Sequence, residues 1–278
     1  MRSLQQFIQF LVYSNLWIGF GSACFSWQFY LIYELKPNLN IILFAFFGTI
    51  LTYTFQRSVK IIQQTKLNNN RLIWMQSHPT TVKIIIISSA IGLIITALNV
   101  QPSTYLLLIF AGLISVFYIV KLPGKTNTNL RDVPGIKIFL IGLVWVSITT
   151  VLPYLNLNSS TLKFPETLFF ANLLYVIGIT IPFDIRDIQL DETNKKTIPQ
   201  LIGIKPAIGL AILLVLFNLL LLLSVTNHSI WLLGINSIMA TILLIGSIKP
   251  RKDLYFSFLI DGLLILQPLL LYLALYGL

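Results

Sequence analysis

The chain has 278 residues, 56% of them hydrophobic and 10% charged, with a formal net charge of +10 and a mean hydropathy of +0.84. A soluble domain carries about 25% charged residues, so this composition excludes a water-soluble protein and defines an all-α, polytopic membrane bundle. The positive charge, which in a soluble chain would raise nucleic acid as a partner, has a topological explanation here, and no nucleic acid is expected.

A membrane-spanning helix needs about 20 apolar residues. Nine runs approach that length, near 10–33, 39–56, 83–99, 103–121, 136–155, 166–183, 205–225, 229–248 and 254–276. None alternates with a period of two, so they read as helices and not as barrel strands. The first follows a weakly basic start with no small-residue cleavage site behind it, and reads as a retained span. It holds Cys24, the single cysteine, which has no disulfide partner within the chain and reads as a packing residue. His78 and His228 fall in or beside loops, far apart in sequence. We read residues 1–278 as one integral membrane domain with nine transmembrane helices.

The charges sort by side. Every lysine and arginine except Lys36 and Lys163 lies at the amino terminus or in the connections after runs two, four, six and eight. The positive-inside rule then puts the amino terminus and those four connections in the cytoplasm, and the carboxyl terminus outside. The expected location is a bacterial cell membrane.

The sixth run leads straight into Asp184-Ile-Arg186-Asp187-Ile-Gln-Leu-Asp191-Glu192. At about 100° per residue, Asp184, Asp187 and Asp191 would share one helical face, with Lys195 near it one turn later. An aspartate at a helix start can serve as a cap, but that explains one of the three. Carboxylates so close repel unless a cation sits between them, and hard oxygen ligands suit Mg²⁺. Two pairs with basic residues end other runs at a spacing of three: Arg57 with Lys60, and Tyr118 with Lys121. Each could be an interfacial anchor or part of an anion site shared with the carboxylates. Asp261 lies inside the ninth run, where a carboxylate is costly unless it faces a polar cavity or a partner. Asn172 and Gln267 read as hydrogen-bonding glue between helices.

The stretch Asp184 to Pro199, ending Lys195-Lys-Thr197-Ile-Pro199, resembles the second aspartate-rich motif of the UbiA family of intramembrane prenyltransferases. The nine runs, Tyr118-x-x-Lys121, Gly135 and Trp145 are similar to that family too. The resemblance implies Mg²⁺-dependent prenyl transfer from an isoprenoid diphosphate to an aromatic or other membrane-soluble acceptor. It implies metal-binding, catalytic roles for Asp184, Asp187 and Asp191, and diphosphate contacts from Lys121 and Arg186, joined by Arg57, Lys60, Tyr118 and Lys195. The family's first aspartate-rich motif should close the second helix. Here Thr54 and Gln56 stand where Asn and Asp are expected, as cavity-lining candidates, and no carboxylate occurs between Glu34 and Asp132. Two readings therefore stay open: a transferase in which Arg57 and Lys60 replace part of the metal charge, and a non-catalytic relative that binds an isoprenoid or its diphosphate. A transporter is a third, disfavoured by the odd run count and the lack of paired interrupted helices.

Overall fold

The computed structural model describes all residues except 1, 64–68, 121–129, 131–132, 134, 158–161, 189–196, 227–229 and 278. Its described residues form helices and turns only. The expected run 10–33 is two helices, α1 (Arg2–Tyr13) and α2 (Leu16–Ile32), bent by 66°. The break is at Asn15, whose φ of 65° is left-handed. Asparagine tolerates that conformation better than most residues with a Cβ.

From there the described helices follow the apolar runs. They are α3 (Leu39–Gln63), a short connecting helix α4 (Asn70–Ser77), α5 (Pro79–Ala97) and α6 (Tyr105–Phe117). Next come α7 (Lys137–Val146), a π-helical stretch Ser147–Val151, and α8 (Leu152–Leu155). The second half has α9 (Glu166–Asp187), the short α10 (Ile198–Ile202), α11 (Ile204–Val225) and α12 (Ile230–Gly246). A second π-helical stretch, Tyr255–Ile260, leads into α13 (Asp261–Tyr276). Proline sits at the start of α5, where its missing N–H costs no helical bond. The side chain of Asn69 caps α4 by accepting from the Arg71 N–H at 2.8 Å.

Among the described residues, six helices are long and apolar enough to cross a membrane, or up to seven with the bent α1–α2 pair as one span. Pro102–Phe117 and the apolar part of α12 are shorter. The nine expected runs all fall on apolar helices, but nine full crossings remain a proposal.

Packing runs round the bundle in sequence: α2 on α3, α6 on α7, α7 on α9, α9 on α11, α11 on α12 and α12 on α13, with α13 returning against α2. α5 lies outside α3. Burial follows this order. The most apolar window of α9 is 61% buried and that of α5 only 11%, so α9 is central and α5 peripheral. Ile84, Ile87, Ile91, Ile94 and Ile95 of α5 are exposed, as are Leu213, Leu216, Phe217 and Leu220 of α11. Apolar patches of this extent mark a lipid-facing surface.

α9 and α11 approach closely because Gly178 has no side chain; a Cβ there would sit 3.0 Å from the Ala211 carbonyl oxygen. Small residues at such crossings are the usual device of membrane bundles. Asn172 and Gln267 do link helices. Gln267 Nε2 donates to Gln28 Oε1 at 3.1 Å, Gln28 Nε2 to Asn172 Oδ1 at 3.3 Å, and Asn172 Nδ2 to Thr150 Oγ1 at 3.0 Å. Asn236 Nδ2 joins the chain through Gln267 Oε1 and the Tyr175 hydroxyl. The network ties α2, α9, α12, α13 and the first π-helical stretch together.

Candidate active-site cavity

Helix ends gather at one pole of the bundle: those of α3, α6 and α9, with the starts of α4, α7 and the last span. Between them opens a cavity with about 1140 Å³ of empty space, its mouth included. Arg57, Lys60, Arg71, Lys137 and Arg186 line it, against three carboxylates, Asp184, Asp187 and Asp261.

α9 brings Asp184 and Asp187 there directly. The sequence places the helix end near 183, but the helical hydrogen bonds continue to Asp187, so both carboxylates ride on its last turn. Asp184 is 1% exposed and forms a close ion pair with Lys137. Asp187 is held by Arg186, whose Nε donates to Oδ1 at 2.7 Å and Nη2 to Oδ2 at 3.2 Å. This bidentate geometry is the strong form of the pair. Arg186 also donates from Nη1 to Asp253 Oδ1 at 2.9 Å and lies over the Phe183 and Phe256 rings, 5.2 and 5.5 Å from their centroids. Asp253 in turn faces Arg71 Nη2 at 3.6 Å. Burial lowers the Arg71 pKa from its ordinary value, against the opposing pull of the Asp253 carboxylate.

α3 supplies the opposite wall. Gln56, Arg57 and Lys60 line the cavity, and Gln56 Nε2 donates to the Ser115 carbonyl at 3.2 Å. Arg57 sits over the Tyr53 ring at 5.1 Å and donates to Asn15 Oδ1 in a close contact. Thr54 is not part of the lining. It is 1% exposed, and its Oγ1 accepts from Asn15 Nδ2 at 2.9 Å. The two-residue step from 54 to 56 turns about 200° round the helix, so the two expected positions cannot face one cavity together. Tyr118, at the end of α6, and Asp261, at the start of α13, also line it. The Asp261 carboxylate stands in the field of Arg57, Arg71 and Arg186.

Of the expected site residues, the cavity thus unites Asp184, Asp187, Asp261, Gln56, Arg57, Lys60, Tyr118 and Arg186. Asp191, Lys121 and Lys195 lie outside the described residues. Sequence reasoning misses Arg71, Lys137 and Asp253 as site residues. Lys137 and Arg71 look like topological anchors, and their partners are far off in the chain. Asn15 is also missed, although an asparagine within an apolar run is a signal.

A second cavity with about 690 Å³ of empty space adjoins the first. Thr52, Tyr53, Ser115, Val144 and Trp145 line both. Beyond them its wall is chiefly apolar, with Phe44, Leu93, Leu108, Ala111 and Ile148. A charged chamber therefore continues into a greasy one, and Tyr53 and Trp145 mark the junction, the Trp145 Nε1 donating to the Tyr53 hydroxyl at 3.4 Å.

Mg²⁺ is commonly held by one or two carboxylates, with water and substrate phosphate completing its shell. In number and type Asp184 and Asp187 match that requirement for one ion, although Lys137 and Arg186 occupy their oxygens here. The α3 wall does not fit a second, since it offers an amide and two cations. Among the described residues, no group of three or more His, Cys, Asp or Glu side chains could hold a metal.

No family model matches the sequence, and no curated protein matches it. Solved structures do. A digeranylgeranylglyceryl phosphate synthase is 16% identical, with 100% of both chains covered and a TM-score of 0.57. A UbiA homologue from Archaeoglobus fulgidus is 13% identical over 95% of this chain and 98% of its own, with a TM-score of 0.57. Its form bound to GPP and Mg²⁺ gives 13%, 95%, 99% and 0.56. The chain therefore has the fold of the UbiA intramembrane prenyltransferases.

Proposed function

We propose that this protein transfers a prenyl group from an isoprenoid diphosphate to a membrane-soluble acceptor. The observation that carries the reading is the junction of the two chambers. A basic pocket suits a diphosphate, and the adjoining apolar one suits a hydrocarbon chain. A protein of the same fold, the UbiA homologue from Archaeoglobus fulgidus, binds GPP and Mg²⁺, which supports an isoprenoid diphosphate as the ligand class.

In the reaction, the bond between the prenyl C1 and the diphosphate oxygen breaks, and its electron pair leaves with the diphosphate. Arg57, Lys60 and Arg186 stabilise the charge that develops there. Tyr53 and Trp145 stand where the allylic cation would form, and their π faces favour it over bulk water. The acceptor's nucleophile then bonds to C1 and releases a proton. Asp184 and Asp187, with Asp191, would hold Mg²⁺, which neutralises the leaving group when bound. Lys121 and Lys195 complete the basic set in this proposal. In this proposal the cavity end faces the cytoplasm, in keeping with the positive-inside rule, and residues 1–278 act as one unit in a cell membrane.

Purified protein incubated with labelled prenyl diphosphate, Mg²⁺ and membrane lipid extract should yield a labelled lipid, and Asp187→Asn should abolish it. A product undiminished in that variant contradicts the proposal. A second reading, an isoprenoid diphosphate binder without turnover, is favoured by the missing carboxylates on α3 and by the pairing of Asp184 with Lys137. Saturable binding with no product from any acceptor extract would support it.

A further inference from the structure

We propose that Arg57 and Arg71 bind the diphosphate directly, as the counterpart of a metal ion on the α3 side, so that the head group is held with at most one divalent cation. This rests on the reading of the cavity as a diphosphate site. The α3 wall presents Gln56, Arg57 and Lys60 to the cavity, and the sequence offers no carboxylate from 35 to 131 to hold an ion there. The charged lining has five basic and three acidic side chains, an excess that attracts an anion without metal.

Arg71 supplies an independent observation. It comes from α4, outside the apolar runs, lines the cavity and is 7% exposed. Among the described residues its Nε and Nη2 meet no hydrogen-bond acceptor, and its ionic contact with Asp253 is a loose 3.6 Å. A buried guanidinium short of acceptors is a costly arrangement. Phosphate oxygens match its planar fork and would fill the missing bonds.

Arg57 is held in place beforehand. Asn15, fixed in the left-handed bend between α1 and α2, accepts from the guanidinium and donates to Thr54 one turn back on α3. Thr54, which stands where a metal-binding motif would carry asparagine, thus has a different task here: it steadies the residue that orients Arg57.

The test is calorimetric binding of unreactive geranyl thiolodiphosphate to the full chain in detergent, in EDTA and in saturating MgCl₂. Wild type should bind in EDTA within about tenfold of its affinity in Mg²⁺. Arg57→Gln and Arg71→Gln should each weaken binding in EDTA by about tenfold or more, the range for a lost charge-assisted hydrogen bond. Arg57→Lys, which keeps the charge, should lose less than Arg57→Gln. If Arg57→Gln does not fold, as judged by its melting curve, Arg71→Gln and Arg57→Lys decide. Binding that needs Mg²⁺ overturns this inference while leaving the diphosphate site intact, as does binding in EDTA that these variants leave unchanged. Absence of binding in both conditions overturns the site and this inference together. Counting Mn²⁺ by electron paramagnetic resonance in the ligand complex should give at most one ion per chain; two would contradict it.

Discussion

Asp184 carries a carboxylate to a position 1% exposed to solvent, and Lys137 reaches it from the first turn of α7. Removing one partner of such a pair leaves the other charge buried and costs about 3 kcal/mol or more. Lys137→Met should therefore lower the melting temperature in detergent, and the double variant with Asp184→Asn should recover much of the loss. At the junction of the chambers, Trp145→Leu should keep geranyl diphosphate binding within about threefold, while product formation falls by about tenfold, because the aromatic face acts on the cation and not on the ground state. Equal losses in both would place Trp145 in binding alone. That Asp184 and Asp187 share one helix face was legible from their spacing. Lys137 and Asp253 were not, because a charged residue near a helix end is indistinguishable from an interfacial anchor until its partner is known.

Helices were easier to read than their internal breaks. The run that contains Asn15 continues apolar beyond it, so the polar Ser14-Asn15 step is the one hint of the 66° bend. The left-handed φ and the bonds to Arg57 and Thr54 give that position its meaning. The two π-helical stretches are silent in sequence, since a change of pitch keeps the same apolar composition. α9 is the opposite case. Its apolar run and the aspartates that follow it are visible as a pattern, though not its end at Asp187, and it forms the centre of the bundle. Gly178→Ala should destabilise the protein by about 1–3 kcal/mol, because the added methyl meets the backbone oxygen of Ala211, which cannot rotate away. Thermal unfolding in detergent checks this; an unchanged midpoint would mean that α9 and α11 can part without cost.

Across the molecule, the sorting of basic residues predicted one charged pole, and the cavity opens where those helix ends gather. Its orientation in the membrane is testable with exposed positions at the end of α3 and in the connection that precedes it. In a Cys24→Ser background, Gln63→Cys should react with an impermeant maleimide only from the cytoplasmic side, and Lys36→Cys only from outside. The reverse pattern would invert the proposed topology. What sequence could not reveal is that the first wall of the site, lacking acids, still faces the second across a shared cavity. That depends on the packing of α3, α4 and α9 round one space and not on any local motif. The central claim is that this space makes an isoprenoid diphosphate give up its diphosphate to form a lipid product. Its most direct test is release of inorganic diphosphate from geranyl diphosphate in Mg²⁺ and membrane lipid extract, followed alongside the labelled lipid. We predict equimolar release and labelling by the wild type, reduced at least about 100-fold in Asp187→Asn. No release above a protein-free control, or release that Asp187→Asn leaves unchanged, would contradict the account.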